Sequence, residues 1–302
     1  MGSILEALSP EQQIACSTQN NILLTACPGS GKTRTLTHRL AYQVLRDPAS
    51  KKIKIAITYT NRAAEEITNR LEGMNIDQSS IWAGTIHQFC MHFIIRPYAM
   101  YSKRLCKGYR IIDDYSKKAY GREIAERLGM HLNYYDDPFQ YENVRTEYKC
   151  VLKEKKEIDF DAILLISEEL LASCAFIGSN IASVISSILV DEFQDTNELQ
   201  YSILSTIYKA NKSIILMFVG DVNQAIYSSL GGVAKGKKEL ETLYEINFDS
   251  LSLKGCYRST QRLVDLYSRF EISKTDTHSV AKYKDEHGEI HFFDSVYYTD
   301  LA

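Results

Sequence analysis

Ala26–Thr33 reads ACPGSGKT and stands between an apolar run, Asn21–Thr25 (NILLT), and a segment of helical spacing from Lys32 to about Leu45. Glycines at 29 and 31 let backbone N–H groups curl around phosphate oxygens where a Cβ would obstruct them. The helix that follows adds the positive end of its dipole. Lys32 is placed to reach the β- and γ-phosphates, and the Thr33 hydroxyl to hold Mg²⁺. The strict pattern begins with glycine where this chain has Ala26. The strand–loop–helix setting carries the motif, with Ala26, Cys27, Pro28 and Ser30 as small residues completing the loop.

Such a loop needs a carboxylate at the end of a neighbouring buried strand. Ser187–Glu192 (SILVDE) supplies one: Asp191 suits the Mg²⁺ shell, and Glu192 is placed to orient and deprotonate an attacking water. Further out, short apolar runs alternate with helical patterns. Ile53–Tyr59 precedes a helix from Arg62 to Leu71, and Ile81–Ala83 precedes one from about His87. Strand signals return at Ser187–Val190, Ile214–Val219 and Leu251–Leu253, as expected for a parallel sheet with crossover helices. Between Arg96 and Ala182 helical periods dominate, as in Lys117–Leu128 and Ala162–Leu171. This reads as an insertion.

The net charge of −3 excludes a globally basic body, so a nucleic-acid site must be a local groove. Basic clusters at Lys51–Lys54, Lys153–Lys156 and Lys235–Lys238 read as solvated faces. Seven scattered cysteines without metal-ligand spacing point to reduced thiols and a cytoplasmic setting. No apolar run has the length of a membrane span.

The carboxylate strand continues as DEFQDTNELQ, Asp191–Gln200. This resembles motif II of superfamily 1 DNA helicases of the UvrD/Rep/PcrA type, and five other motifs of that family fall in order along the chain. The resemblance implies a RecA-like P-loop NTPase of α/β class, with a parallel sheet and a helical insertion subdomain. It implies ATP and Mg²⁺ as cofactors and single-stranded DNA as partner. Leu8–Ala15 is similar to the Q motif, which would set Gln12 on the adenine edge. Thr58–Ile67 (TYTNRAAEEI) and Gly84–Cys90 (GTIHQFC) resemble motifs Ia and Ib. Through them Tyr59 would stack on a base, and Thr60, Asn61, Arg62, Thr85 and His87 would line the strand groove. Val219–Tyr227 (VGDVNQAIY) resembles motif III, with Gln224 sensing the γ-phosphate and Tyr227 on the groove. Cys256–Thr260 (CYRST) resembles motif IV, with Tyr257 on the adenine and Arg258 as an arginine finger. Arg34 matches the residue after the family's GKT, and Ile158–Leu165 (IDFDAILL) is similar to a segment of the family's 1B subdomain.

The chain also departs from the pattern. Ser229 and Leu230 stand where the family has a tryptophan and an arginine, which implies weaker single-strand affinity. The resemblance divides the chain into a RecA-like domain (1–95 and 183–287), an insertion (96–182) and, from 288 to 302, the start of a second RecA-like domain. A strand is expected at Glu289–Phe293. On this reading the chain alone lacks the second-domain arginine needed for full activity. Two functions are expected: a 3′–5′ ATP-driven translocase on single-stranded DNA, or an ATP- and DNA-responsive regulatory subunit that gates a partner nuclease in phage defence.

Overall fold

The computed structural model describes residues 2–133, 135–224, 232–272 and 274–287. Tyr227, Ser229, Leu230 and the strand expected at Glu289–Phe293 lie outside the described residues. The chain opens with helices α1 (Gly2–Leu5) and α2 (Pro10–Ser17), then strand β1 (Ile22–Ala26) and α3 (Lys32–Arg46). Next come β2 (Ile53–Thr58), α4 (Asn61–Gly73), β3 (Ile81–Thr85) and α5 (Ile86–Phe89). That last helix continues through a π-helical stretch, Cys90–Ile95, into α6 (Arg96–Tyr98). Then follow β4 (Arg110–Ile111), α7 (Asp114–Arg127), α8 (Glu142–Lys155), β5 (Glu157–Ile158), α9 (Phe160–Ser173) and α10 (Ala175–Val184). The remainder is β6 (Ile185–Asp191), α11 (Glu198–Ala210), β7 (Ile215–Gly220), α12 (Lys237–Tyr244), β8 (Asp249–Leu253), β9 (Gly255–Cys256), α13 (Gln261–Tyr267) and β10 (His278–Ser279).

Six strands form one parallel sheet in the order β3-β2-β6-β7-β1-β8. The alternation of apolar runs with helical patterns implied this class of sheet. Its central strands are apolar on both faces, as a sheet covered on both sides requires. Side-chain alternation splits them cleanly. Ile22, Leu24, Ala56, Leu189, Met217 and Val219 face α3 and α4 in one core. Leu23, Ile55, Ile57, Ile188, Val190, Leu216 and Phe218 face the other way, against a core shared by α9, α10, α11 and α12.

Helices α9 and α10 thus pack directly on the sheet. Residues 112–152 gather separately around Ile112, Ile124, Val144, Tyr148 and Leu152. The short β4–β5 ladder joins the two parts. On the other face Arg39 of α3 is fully buried, donating to the carbonyls of Ala15 and Asn20 and tying α2 to α3. Burial lowers its pKa to about 10, so the guanidinium stays charged at neutral pH.

Because every strand of the sheet is parallel, all the loops that follow them open on one edge. The Ala26–Thr33 loop, the ends of β2 and β3, the Asp191–Glu192 pair and the end of β7 are collected there. This is where ligands bind in open α/β sheets.

Candidate functional site

The loop after β1 is built around two glycines in the left-handed region, Gly29 (φ 74°) and Gly31 (φ 85°). Side chains would be strained at both positions. A Cβ on Gly29 would stand 2.5 Å from Arg258 Cβ, and one on Gly31 2.9 Å from Gln12 Nε2. The loop is therefore gripped from both sides. Gln12 donates from Nε2 to the Ser30 carbonyl (3.0 Å), while its Oε1 accepts from the Ser9 N–H in a capping box at the start of α2. From the far side, the Tyr257 N–H donates to the Gly29 carbonyl (2.9 Å). Gln12 and Tyr257, expected on the adenine, and Arg258, expected on the γ-phosphate, all lie against this loop. Gln12 is buried and already engaged at both ends of its amide, leaving one N–H and one lone pair for a base edge. Arg34, the residue after the loop, donates to the Ala7 carbonyl (2.9 Å). Burial pushes the Cys27 thiol up, so it stays protonated as a small loop residue.

Lys32 and Thr33, the first residues of α3, reach across to the end of β6. Lys32 Nζ lies 3.1 Å from Glu192 Oε2, and Thr33 Oγ1 donates to Asp191 Oδ2 at 3.3 Å. Burial, with the Glu192 charge beside it, raises the Asp191 carboxyl to about 7. A buried carboxylate so poorly compensated, converging with a hydroxyl, is a hard-oxygen donor pair that fits Mg²⁺. No cluster of three or more metal-ligating side chains occurs among the described residues. Glu192 itself sits at φ 51°, ψ 49°, a left-handed conformation rare outside glycine.

A polar chain runs outward from Glu192 through residues to which the sequence analysis gave no role. Gln194 Nε2 donates to Glu192 Oε2 (2.8 Å), and Gln194 Oε1 accepts from the Asp221 N–H (3.0 Å). Asp221 Oδ2 in turn accepts from Gln224 Nε2 (2.7 Å). Gln224, the expected phosphate sensor, is thus two hydrogen-bonded residues from the carboxylate. Gly220 makes room for this link: a Cβ there would come 2.2 Å from Gln194 Oε1. Asp195 also lies near Glu192, its carboxyl raised by burial.

Tyr59, Thr60, Asn61, Thr85 and His87 line a single groove of about 770 Å³ at the ends of β2 and β3. Arg62 is exposed on α4 outside that lining. The groove also takes in Trp82, His92, Arg96 and Phe160, which sequence reasoning did not single out. Thr60 and Thr85 already cap the helices that follow them, accepting from Ala63 and Gln88 N–H groups. His87 packs edge-on against Phe160 at 5.9 Å, and burial lowers its pKa. Tyr59, Thr85 and His87 face a second cavity, about 290 Å³, whose other wall is Asp191, Glu192 and Asp195.

The AAA domain family matches residues 11–230. Among curated proteins, the chain is 28% identical to an ATP-dependent DNA helicase PcrA of Leuconostoc citreum, over 82% of this chain and 37% of the relative. It is 26% identical to DNA helicase II of Escherichia coli (strain K12), over 86% and 40%. A PcrA of Staphylococcus aureus (strain Mu50 / ATCC 700699) aligns with the whole chain and 45% of its own length at 26% identity. The chain therefore spans less than half the length of these relatives. Among the described residues, no helix is long and apolar enough to cross a membrane.

Proposed function

Because the chain belongs to the AAA domain family and matches the N-terminal region of UvrD/PcrA-like superfamily 1 helicases, we propose that it is the nucleotide-hydrolysing part of an ATP-driven motor on single-stranded DNA. The observation that carries this reading is the shared wall. Tyr59, Thr85 and His87 line both the open groove and the cavity that ends on Asp191 and Glu192. A strand in the groove would share those side chains with the cavity that reaches Asp191 and Glu192, the pair that Lys32 and Thr33 meet.

In this reading the Gly29–Gly31 backbone and the start of α3 cradle the phosphates, and Lys32 meets the β- and γ-oxygens. Arriving phosphate oxygens compete with Glu192 for the Lys32 ammonium, freeing the carboxylate to take a proton from the attacking water. Thr33 and Asp191 would hold Mg²⁺, which when bound neutralises charge on the β- and γ-oxygens. Gln194 keeps the Glu192 carboxylate oriented, and Asp221 and Gln224 carry its position outward. Tyr257 and Arg258 close on the loop from the β9 side. Tyr59, 47% exposed, offers its ring to a base, and Thr60, Asn61, Thr85 and His87 track the backbone. We assign residues 96–182 to an insertion on this domain, and 3′–5′ movement as the direction.

Binding of a fluorescent oligo-dT strand to the chain tests this, read by anisotropy beside a fluorescent ATP titration. Tyr59→Ala should weaken the strand by the roughly 1–3 kcal/mol of one stacked base and leave nucleotide affinity unchanged. Unaltered strand affinity would remove the groove from the account.

A further inference from the structure

A second cleft lies in the insertion region, outside the nucleotide loop and the strand groove. The α8 helix ends at Lys155, β5 follows, and α9 departs at Phe160, leaving between the two helices a cleft of about 1060 Å³. Its floor carries apolar Leu152, Ile158 and Ala162, all buried, beside the buried Glu157 and Asp159, whose carboxylates are taken up by Arg110 and by Tyr148 and Lys117; Leu165 lies at 48% exposure. The α8 side is cationic, with Lys149, Lys153 and Lys156, joined by Lys103, Arg104 and Lys107 from the segment before β4. Among the described residues none of these six takes part in an ion pair. That is a marked local excess in a chain of net charge −3. The α9 side differs. Asp161, Leu165 and Glu169 recur at four-residue spacing along one helix face. Asp161 bridges to Lys117, yet its side chain stays 75% exposed.

We propose that this cleft docks an amphipathic helix of a partner protein. The helix would set an apolar ridge on Leu165 and the floor, a carboxylate flank against α8, and a basic flank against Asp161 and Glu169. A helix laid in a groove is read through apolar anchors at helical spacing, and charge complementarity fixes its register and orientation. A nucleic-acid backbone fits less well, since its uniform negative charge meets Asp161 and Glu169 and it leaves Leu165 uncovered. This inference does not depend on the nucleotide-site reading.

The test is a selection of helix-forming peptides about 15 residues long from a phage-displayed library, against the immobilised full chain. The enriched sequences are then made as soluble labelled peptides. Enriched peptides should carry acidic residues on one flank of an apolar stripe. Their affinity should fall at least about tenfold with Lys149→Glu/Lys153→Glu and, separately, with Leu165→Asp, and it should weaken in added salt. Unchanged nucleotide affinity and melting temperature in both variants would show that the fold is intact. Enriched peptides indifferent to both substitutions would overturn the proposal. So would a short DNA duplex that binds the chain and alone loses affinity with Lys149→Glu/Lys153→Glu, because the cleft would then be a nucleic-acid surface.

Discussion

Replacing Gly220 with alanine should disturb the site without touching any group that would meet a ligand. The new Cβ would stand 2.2 Å from Gln194 Oε1 and 2.6 Å from Phe193 Cδ1. Neither neighbour can step aside into solvent, because Phe193 is fully buried and Gln194 is 3% exposed. Gln194 is also held by hydrogen bonds to Asp221 at one end and Glu192 at the other. Moving its amide leaves the Asp221 N–H without an acceptor, a loss of about 1–3 kcal/mol for a buried donor. Crowding Phe193 adds a typical overpacking cost of about 1–3 kcal/mol. Together these predict a destabilisation of roughly 2–6 kcal/mol, measured as the shift of a urea unfolding midpoint at constant slope. The control is Gly73→Ala, where a Cβ meets nothing within 4 Å. It should be neutral or gain up to about 1 kcal/mol. A Gly220→Ala protein within about 0.5 kcal/mol of wild type would refute the tight packing of Gln194 against the end of β7.

Two further outcomes are expected. Glu192→Gln keeps the shape of the side chain but not its basicity, so nucleotide affinity should persist while single-turnover ATP cleavage slows by roughly 10²–10⁴. Cleavage at the wild-type rate would remove Glu192 as the base. His38 is buried on α3, with Nδ1 2.8 Å from the Arg34 carbonyl, and burial holds its pKa below the ordinary imidazole value. Below about pH 6.5 the unfolded chain therefore binds a proton that the folded chain refuses. The His38 contribution is intact above that pH and drains away on acidification. His38→Gln should flatten the acid side of the stability profile, and an unchanged slope between neutral and mildly acidic buffers would contradict this.

The elements that repeat local rules were legible in the sequence. The loop at Ala26–Thr33 announced itself because its glycines and its Lys32–Thr33 pair are contiguous. The sheet showed as apolar runs separated by helical spacing, and strand ends agreed within a residue or two at β1, β2 and β7. What escaped depends on strand order. Gln194 and Asp221 form a link only because β6 and β7 are neighbours in the sheet. Likewise, Trp82, Arg96 and Phe160 share a groove although they come from three separate elements. Arg39 reads in sequence as one more charge on a helix, and its burial against the Ala15 carbonyl follows from the packing of α2 on α3. The π-helical stretch Cys90–Ile95 has no composition signal that would set it apart from an ordinary helix.

If the chain is part of a strand-driven motor, its phosphate site on Lys32, Asp191 and Glu192 answers to a strand held at Tyr59 and His87. ATP turnover by the longest natural form of the protein, with and without single-stranded DNA and beside a Lys32→Ala control, tests it most directly. Turnover should be strongly stimulated by the strand and abolished by the substitution. A rate that stays flat with DNA while ATP still binds would contradict the motor reading and favour the regulatory subunit.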